Sequence, residues 1–122
     1  DAKVSWALRK DYAEAIAKVL VTDGHENTVY ELSRKPVSVK ELVGEISKVT
    51  GKEITVNNID KTQYSEMLKS NGLPEPVVEF IVSLQTSITN DSLNVESEDF
   101  EKLLGHPVTS IEDSVKEIIN NL

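Results

Sequence analysis

Apolar residues recur three or four positions apart along most of the chain, which is the spacing of amphipathic α-helices. The pattern predicts six helices, with apolar faces in residues 12–20, 39–49, 64–68, 77–88, 100–104 and 111–119. Shorter stretches that alternate or are rich in β-formers predict strands at Lys3–Leu8, Thr28–Leu32, Glu53–Asn57 and Leu93–Val95. The mixture indicates an α/β chain.

Helix boundaries are marked by local signals. Ser38 with Glu41 and Thr109 with Glu112 have the spacing of a capping box, and Asp60 with Gln63 has the same spacing. Glycines at 51, 72 and 105 follow the last apolar position of three helices, where a left-handed residue ends a helix. Residues 28–57 then form a strand–helix–strand unit. If its two strands share a sheet, we expect them to be parallel, with a right-handed crossover.

The segment 77–88 is apolar over a wider arc than one core contact requires. We expect its second side to be covered by a further domain or by another copy of the chain, since exposed patches of that size are unusual in monomers. The preceding Leu73-Pro74 step is a candidate hinge that would let the helices on either side act as a lid.

Length and charge narrow the class of protein. The 122 residues are enough for one domain, which we place at 1–122. A formal charge of −8 without a basic stripe disfavours nucleic acid as a partner, and the longest apolar run is too short to span a membrane. With no cysteine and no secretory signal, we expect a cytoplasmic protein. The chain begins at Asp1 rather than Met, which we interpret as a cut in a longer polypeptide.

Catalytic motifs are scarce. The five glycines stand singly, and neither a G-x-G-x-x-G turn nor a phosphate-binding P-loop is written in the sequence, so we expect this chain to bind no nucleotide cofactor. His25 and His106 lack ligand spacing, so we predict no metal site and surface loop histidines, with the rim of an active site as the alternative. With no converging acid, base or nucleophile, a self-sufficient small enzyme is disfavoured.

The candidates for a substrate pocket are aromatic and apolar side chains with one arginine. Trp6, beside Arg9 and Asp11, is either a packed aromatic at a strand-to-helix corner or one wall of a substrate cavity. Tyr64, Met67 and Phe80 divide in the same way between core and pocket. The predicted pocket residues are therefore Trp6, Arg9, Tyr64, Met67 and Phe80.

Several stretches, in order and nearly throughout the chain, resemble the C-terminal portion of the NmrA-like atypical short-chain dehydrogenases, in particular the NAD(P)H:quinone oxidoreductase and triphenylmethane reductase group. The matching stretches are Val4–Ala7, Arg9–Ala15, Gly24–Asn27, Val29–Leu32, Ser47–Lys52, Leu68–Pro74 and Gly105–Ser110. Ser33-Arg34-Lys35 departs from the group, in which this turn is more neutral.

The resemblance implies the C-terminal lobe of a Rossmann-type reductase, with short, mostly parallel strands and about six helices. It implies that the N-terminal half, absent from this chain, holds NAD(P)H in a glycine-rich turn. The chain would then shape the site of a small-molecule acceptor such as a quinone, would be inactive alone, and would have that N-terminal half or another copy as its partner. The alternative is a free-standing NmrA-like binding or regulatory module without catalysis.

Overall fold

The computed structural model describes residues 2–122. Its two strands are β1 (Lys3–Val4) and β2 (Val37–Ser38), and its helices are α1 (Arg9–Val21), α2 (Val39–Thr50), α3 (Lys61–Ser70), α4 (Glu75–Thr89), α5 (Asp99–Leu104) and α6 (Ile111–Asn120). All six predicted helices are confirmed, and together with the small two-stranded sheet they give the predicted α/β class.

The helix boundaries follow the predicted signals, with one correction. Ser38 Oγ accepts the Glu41 N–H at 3.2 Å while the Glu41 carboxylate accepts the Ser38 N–H at 2.7 Å. This hydrogen bond from the Ser38 backbone lowers the pKa of Glu41. Gly51 ends α2 at φ 67. The capping box predicted at Thr109 is wrong, because Ser110 caps α6 and accepts the Asp113 N–H at 3.1 Å.

Most of the predicted strands are wrong. Within residues 2–122, no strand forms at 28–32, 53–57 or 93–95, and the two short strands pair antiparallel, with Val4 opposite Val37. The expectation of mostly parallel strands is therefore corrected. A strand requires a neighbour that completes its ladder, and the backbone here bonds elsewhere. For example, the Glu31 N–H donates to the Asp99 carboxylate at 3.1 Å.

The helices associate in three pairs, α1 with α5, α2 with α6, and α3 with α4. The buried core lies between α1 and α5, where the rings of Tyr12 and Phe100 are 4.9 Å apart. Burial raises the pKa of the Tyr12 phenol, because the apolar surroundings disfavour the charged form. The core residues are Ala15, Phe100, Leu104 and Val108. None of the helices in residues 2–122 is both long and apolar enough to cross a membrane.

A polar network holds three separate segments together beside this core. Buried Asp11 accepts the Thr109 N–H at 3.2 Å, and the Thr109 carbonyl accepts a hydrogen bond from the Arg34 guanidinium. The Arg34 N–H donates to Ser5 Oγ at 2.7 Å. Arg34 thus joins the segment after residue 28 to the start of α6, which gives the Ser33-Arg34-Lys35 turn a structural role.

Candidate functional site

An apolar cavity of about 330 Å³ lies where the residues between β1 and α1 meet α2 and α6. We call it the Trp6 cavity. Its lining is Trp6, Ala7, Leu8, Leu42, Ile46, Ile111, Ser114, Val115, Ile118 and Ile119. The apolar stripes of two amphipathic helices converge on the strand-to-helix corner that carries Trp6, and the space between them is not filled.

Because this space is open, most of the side chains that line it are only partly buried. No residue of α2 is fully buried although the helix is amphipathic, because Leu42 and Ile46 face the cavity. Of the α6 residues on the cavity wall, Val115 is buried and Ile118 is 54% exposed. Trp6 itself is 39% exposed. These side chains form a preformed concave surface of the kind that binds small molecules.

The cavity carries almost no polar chemistry. None of the residues that line it has a titratable side chain, and its single hydroxyl belongs to Ser114. That hydroxyl is buried and donates to the Thr109 carbonyl at 3.4 Å. The walls therefore supply shape, apolar area and one indole, but no general acid or base.

Of the five predicted pocket residues, the structure places only Trp6 at this cavity. Arg9 lies exposed at the start of α1, and Tyr64 is half-buried on α3. Met67 on α3 is 43% exposed and Phe80 on α4 is 63% exposed. Tyr64, Met67 and Phe80 thus belong to the hairpin of α3 and α4, away from Trp6. The pocket roles of the five residues remain predictions.

A second cavity, of about 600 Å³, lies between α2, the segment 54–58 and the end of α4, and its lining is mixed. Its residues are Ala2, Ser38, Val39, Lys40, Val43, Gly44, Ser47, Ile54, Val56, Asn58, Gln85, Ile88 and Thr89. Lys40 is the one charged side chain on this wall. The cavity is larger than the first but lacks a continuous apolar wall.

Three side chains after α1 form a hydrogen-bonded chain. The Thr22 hydroxyl donates to the Lys18 carbonyl, so its oxygen accepts from His25 Nε2, 2.6 Å away. In neutral His25 the other nitrogen, Nδ1, is then an acceptor for the Tyr30 phenol at 2.7 Å. The contact orders the turn after α1. None of these three residues lines either cavity described above.

His106 has acceptors at both ring nitrogens. Nδ1 lies 2.8 Å from the Pro107 carbonyl and Nε2 lies 2.6 Å from the Glu14 carboxylate. A carbonyl and a carboxylate can only accept, so this geometry favours the doubly protonated ring. These two contacts raise the pKa of His106 above 6.5. In residues 2–122, no group of three or more acidic, histidine or cysteine side chains is arranged to hold a metal ion.

The pocket residues predicted from the sequence do not include the α2 and α6 walls of the cavity. A usable signal was present, since both stripes are regular and the stretch beside Trp6 is also apolar. The pattern alone does not reveal whether three such surfaces close on one another or leave a space.

No protein-family model matches the chain. Among curated proteins, quinone oxidoreductase 2 of Escherichia coli (strain K12) is 34% identical over 121 residues, covering 98% of this chain and 42% of that protein. The structure of the E. coli NADPH-dependent quinone oxidoreductase complexed with NADPH matches with a TM-score of 0.89 at 34% identity. That match covers 98% of this chain and 43% of the other.

The Citrobacter sp. triphenylmethane reductase complexed with NADP(H) matches with a TM-score of 0.86 at 31% identity, over 95% of this chain and 41% of the other. The chain thus spans about two fifths of the length of the relatives it matches. The resemblance found in the sequence is confirmed. Over nearly its whole length, this chain is similar to a C-terminal part of NmrA-like reductases of the quinone oxidoreductase and triphenylmethane reductase group.

Proposed function

We propose that this chain is the substrate-side, C-terminal part of an NAD(P)H-dependent oxidoreductase that reduces a quinone or a similar acceptor. The observation that carries the proposal is the match to the E. coli quinone oxidoreductase, which extends over 98% of this chain. The alternative, a regulatory module without catalysis, has weaker support, namely a match at 29% identity over 119 residues to prestalk A differentiation protein A of Dictyostelium discoideum.

NAD(P)H is the cofactor of the longer protein in this proposal, and the residues of this chain do not fit its pyrophosphate. None of the side chains that line the Trp6 cavity is a cation that could pair with a phosphate. At the second cavity Lys40 is a lone cation, and the start of α2 beside it is already occupied by the Glu41 carboxylate, which disfavours an anion there. The nucleotide therefore belongs to the N-terminal part of the longer protein, and the chain alone is inactive.

The exposed face of α4 suits a contact with that N-terminal part. Val77, Phe80 and Leu84 lie three or four residues apart and are 41%, 63% and 47% exposed. Relatives are more than twice as long as this chain, so additional polypeptide is available to cover the face. A small-molecule acceptor would bind on the substrate side, in a cytoplasmic protein that contacts neither nucleic acid nor membrane.

A chimaera tests the proposal. Joining the N-terminal part of the E. coli quinone oxidoreductase to this chain should give NADPH-dependent quinone reduction, while each part alone should give none. Calorimetric titration of the 122-residue chain with NADPH should show no tight binding. Tight binding by this chain, or an inactive chimaera that is folded and binds NADPH, would contradict the proposal.

A further inference from the structure

We propose that the Trp6 cavity binds the ring system of a neutral, lipophilic acceptor and so makes the enzyme prefer uncharged quinones to anionic ones. This inference rests on the proposed function and specifies its substrate class. Three properties of the cavity carry it, namely its size, the absence of charge in its walls, and the framework that keeps it open.

The volume fits a compact ligand. At about 330 Å³ the cavity is near the lower end of small-molecule sites, which range from roughly 300 to 1,000 Å³. One or two fused aromatic rings fill such a space, whereas a dinucleotide does not. Trp6 supplies a flat wall on which a planar ring can stack, and its indole N–H is the kind of donor that a quinone carbonyl can use.

The walls select against charge. No side chain that lines the cavity can neutralise an ion, and Ser114 is already engaged with the Thr109 carbonyl. Burying an anion without a partner is strongly unfavourable, and the chain as a whole carries a formal charge of −8. A sulfonated or carboxylated ring therefore loses its hydration without gaining a contact that compensates, while a neutral ring gains apolar burial.

Ion pairs join the elements that bound the cavity, and they favour the spacing that leaves it open. Glu112 at the start of α6 pairs with Lys48 of α2 at 3.4 Å and with Lys116 of its own helix at 2.7 Å. Lys10 of α1 pairs with Glu117 of α6. The ends of both helices are held by the Ser38 and Ser110 caps. An apolar space persists when its surroundings cannot relax into it.

Trp6 is the only tryptophan of the chain, so its fluorescence reports on the cavity directly. We expect menadione, a neutral two-ring quinone, to quench this fluorescence in a saturable way. Naphthoquinone sulfonate has the same ring system with one negative charge, and it should bind at least roughly tenfold more weakly. Linear, unsaturated quenching by both compounds, or equal saturable binding of both, would overturn the proposal.

A matched pair of variants assigns the binding to the cavity. Ile118 at the cavity wall and Ile16 on α1 away from it are exposed to similar extents, 54% and 52%. Ile118→Phe narrows the cavity and should weaken menadione binding by at least roughly tenfold, whereas Ile16→Phe should leave it unchanged within about twofold. Unchanged affinity in Ile118→Phe contradicts the proposal.

Circular dichroism establishes whether each variant is folded. If Ile118→Phe does not fold, amide chemical-shift mapping of the unsubstituted chain decides. Menadione should then move the resonances of residues 42–46 and 111–119, and shifts confined to other regions would overturn the assignment.

The chimaera separates this proposal from the proposed function. In an active chimaera, Ile118→Phe should raise the KM for menadione several-fold and leave the KM for NADPH unchanged. If the chimaera is active but Ile118→Phe leaves its KM for menadione unchanged, the function is supported and the cavity assignment is overturned. That result is expected if a side chain of the N-terminal part fills the cavity. Binding by the chain together with an inactive, folded chimaera supports the cavity and overturns the function.

Discussion

The α1–α5 pair and the α3–α4 hairpin each contain one of the two phenylalanines of the chain, with opposite outcomes. Phe100 on the short helix α5 is fully buried, whereas Phe80 on the long, strongly apolar helix α4 is 63% exposed. The helix with the shorter apolar stripe thus forms the core. Burial depends on whether other segments return to cover a residue, which hydrophobicity alone does not determine.

The cover differs between the two regions. Around Phe100, α1 supplies Tyr12 and Ala15, and the segment before α6 supplies Val108. Along α4, only Val78 and Val82 are buried, and the opposite side of the helix faces solvent. The hairpin depends more on local interactions, namely the Asp60–Gln63 capping box and an exposed ion pair between Lys69 and Glu75 at 2.9 Å. Regions of this kind open first.

The largest expected effect is the difference between the two phenylalanines. Phe100→Ala should lower the free energy of unfolding by about 3–5 kcal/mol, because it removes a fully buried ring and leaves a cavity. Phe80→Ala should change it by less than about 0.5 kcal/mol, because the ring is mostly in water already. Urea unfolding followed by circular dichroism measures both.

The comparison would fail if the Phe80 variant were destabilised as much as the Phe100 variant. Since α4 is expected to contact other polypeptide, sedimentation velocity on the Phe80 variant should accompany the unfolding curves. A loss of stability that tracks a loss of self-association would show that a second copy covers α4.

A smaller effect is expected from the polar contacts beside the α1–α5 pair. Asp11→Ala should cost about 1–3 kcal/mol, because the part-buried Thr109 N–H loses the acceptor that the buried Asp11 side chain provides. Asp11→Asn is the matched control, since its amide oxygen can still accept the same hydrogen bond, and it should cost less. Equal unfolding midpoints for the alanine variant and the unsubstituted chain would rule out this role for Asp11.

In the α3–α4 hairpin, loss of the Asp60 cap should destabilise α3 without affecting the rest of the fold. Asp60→Ala should destabilise α3 by about 1 kcal/mol, because the Gln63 N–H loses the Asp60 carboxylate. If the hairpin opens before the rest, amide exchange should accelerate in residues 61–70 while the main urea transition keeps its midpoint. Acceleration of exchange in α1 to the same degree would show that the two regions unfold together.

Features that depend on residues close together in the sequence could be predicted, whereas features that depend on contacts between distant segments could not. Ser38, Glu41 and Gly51 define α2 from within a few turns of chain, and all three act in the structure as their spacing predicts. Local spacing gave the wrong cap at Thr109, because the neighbouring Ser110 has an equally suitable hydroxyl and caps α6 instead. Thr28–Leu32 has β-forming residues, but a strand also needs a partner from elsewhere, and the Glu31 N–H bonds to Asp99 instead.

The candidate site shows the same limit. Trp6 was identified because a lone tryptophan beside a strand-to-helix corner is conspicuous, and it does line a cavity. Leu42 and Ile118, which face the same space, are distant in sequence and look like any helix stripe. Arg34 stands out in the sequence only as part of a turn that is less neutral than in the related group, and nothing there predicts its bond to the Thr109 carbonyl, which depends on how two remote segments meet.

The smallest expected effect is a pH dependence of stability, which comes from His106 beside the α1–α5 pair. The Pro107 carbonyl, and then the Glu14 carboxylate, raise the pKa of His106 above its ordinary 6.5. A raised folded-state pKa means that this contribution to stability is fully present below about pH 6.5 and is lost as the pH rises through the folded value. His106→Gln should therefore lower the Tm relative to the unsubstituted chain at about pH 5.5 but hardly at about pH 8.5, and the side chain is exposed enough that the difference should be small. Glu14→Gln removes the carboxylate partner of His106 and should weaken the pH dependence of the Tm. If the His106 variant has the same Tm deficit at both pH values, the ring acts only by packing.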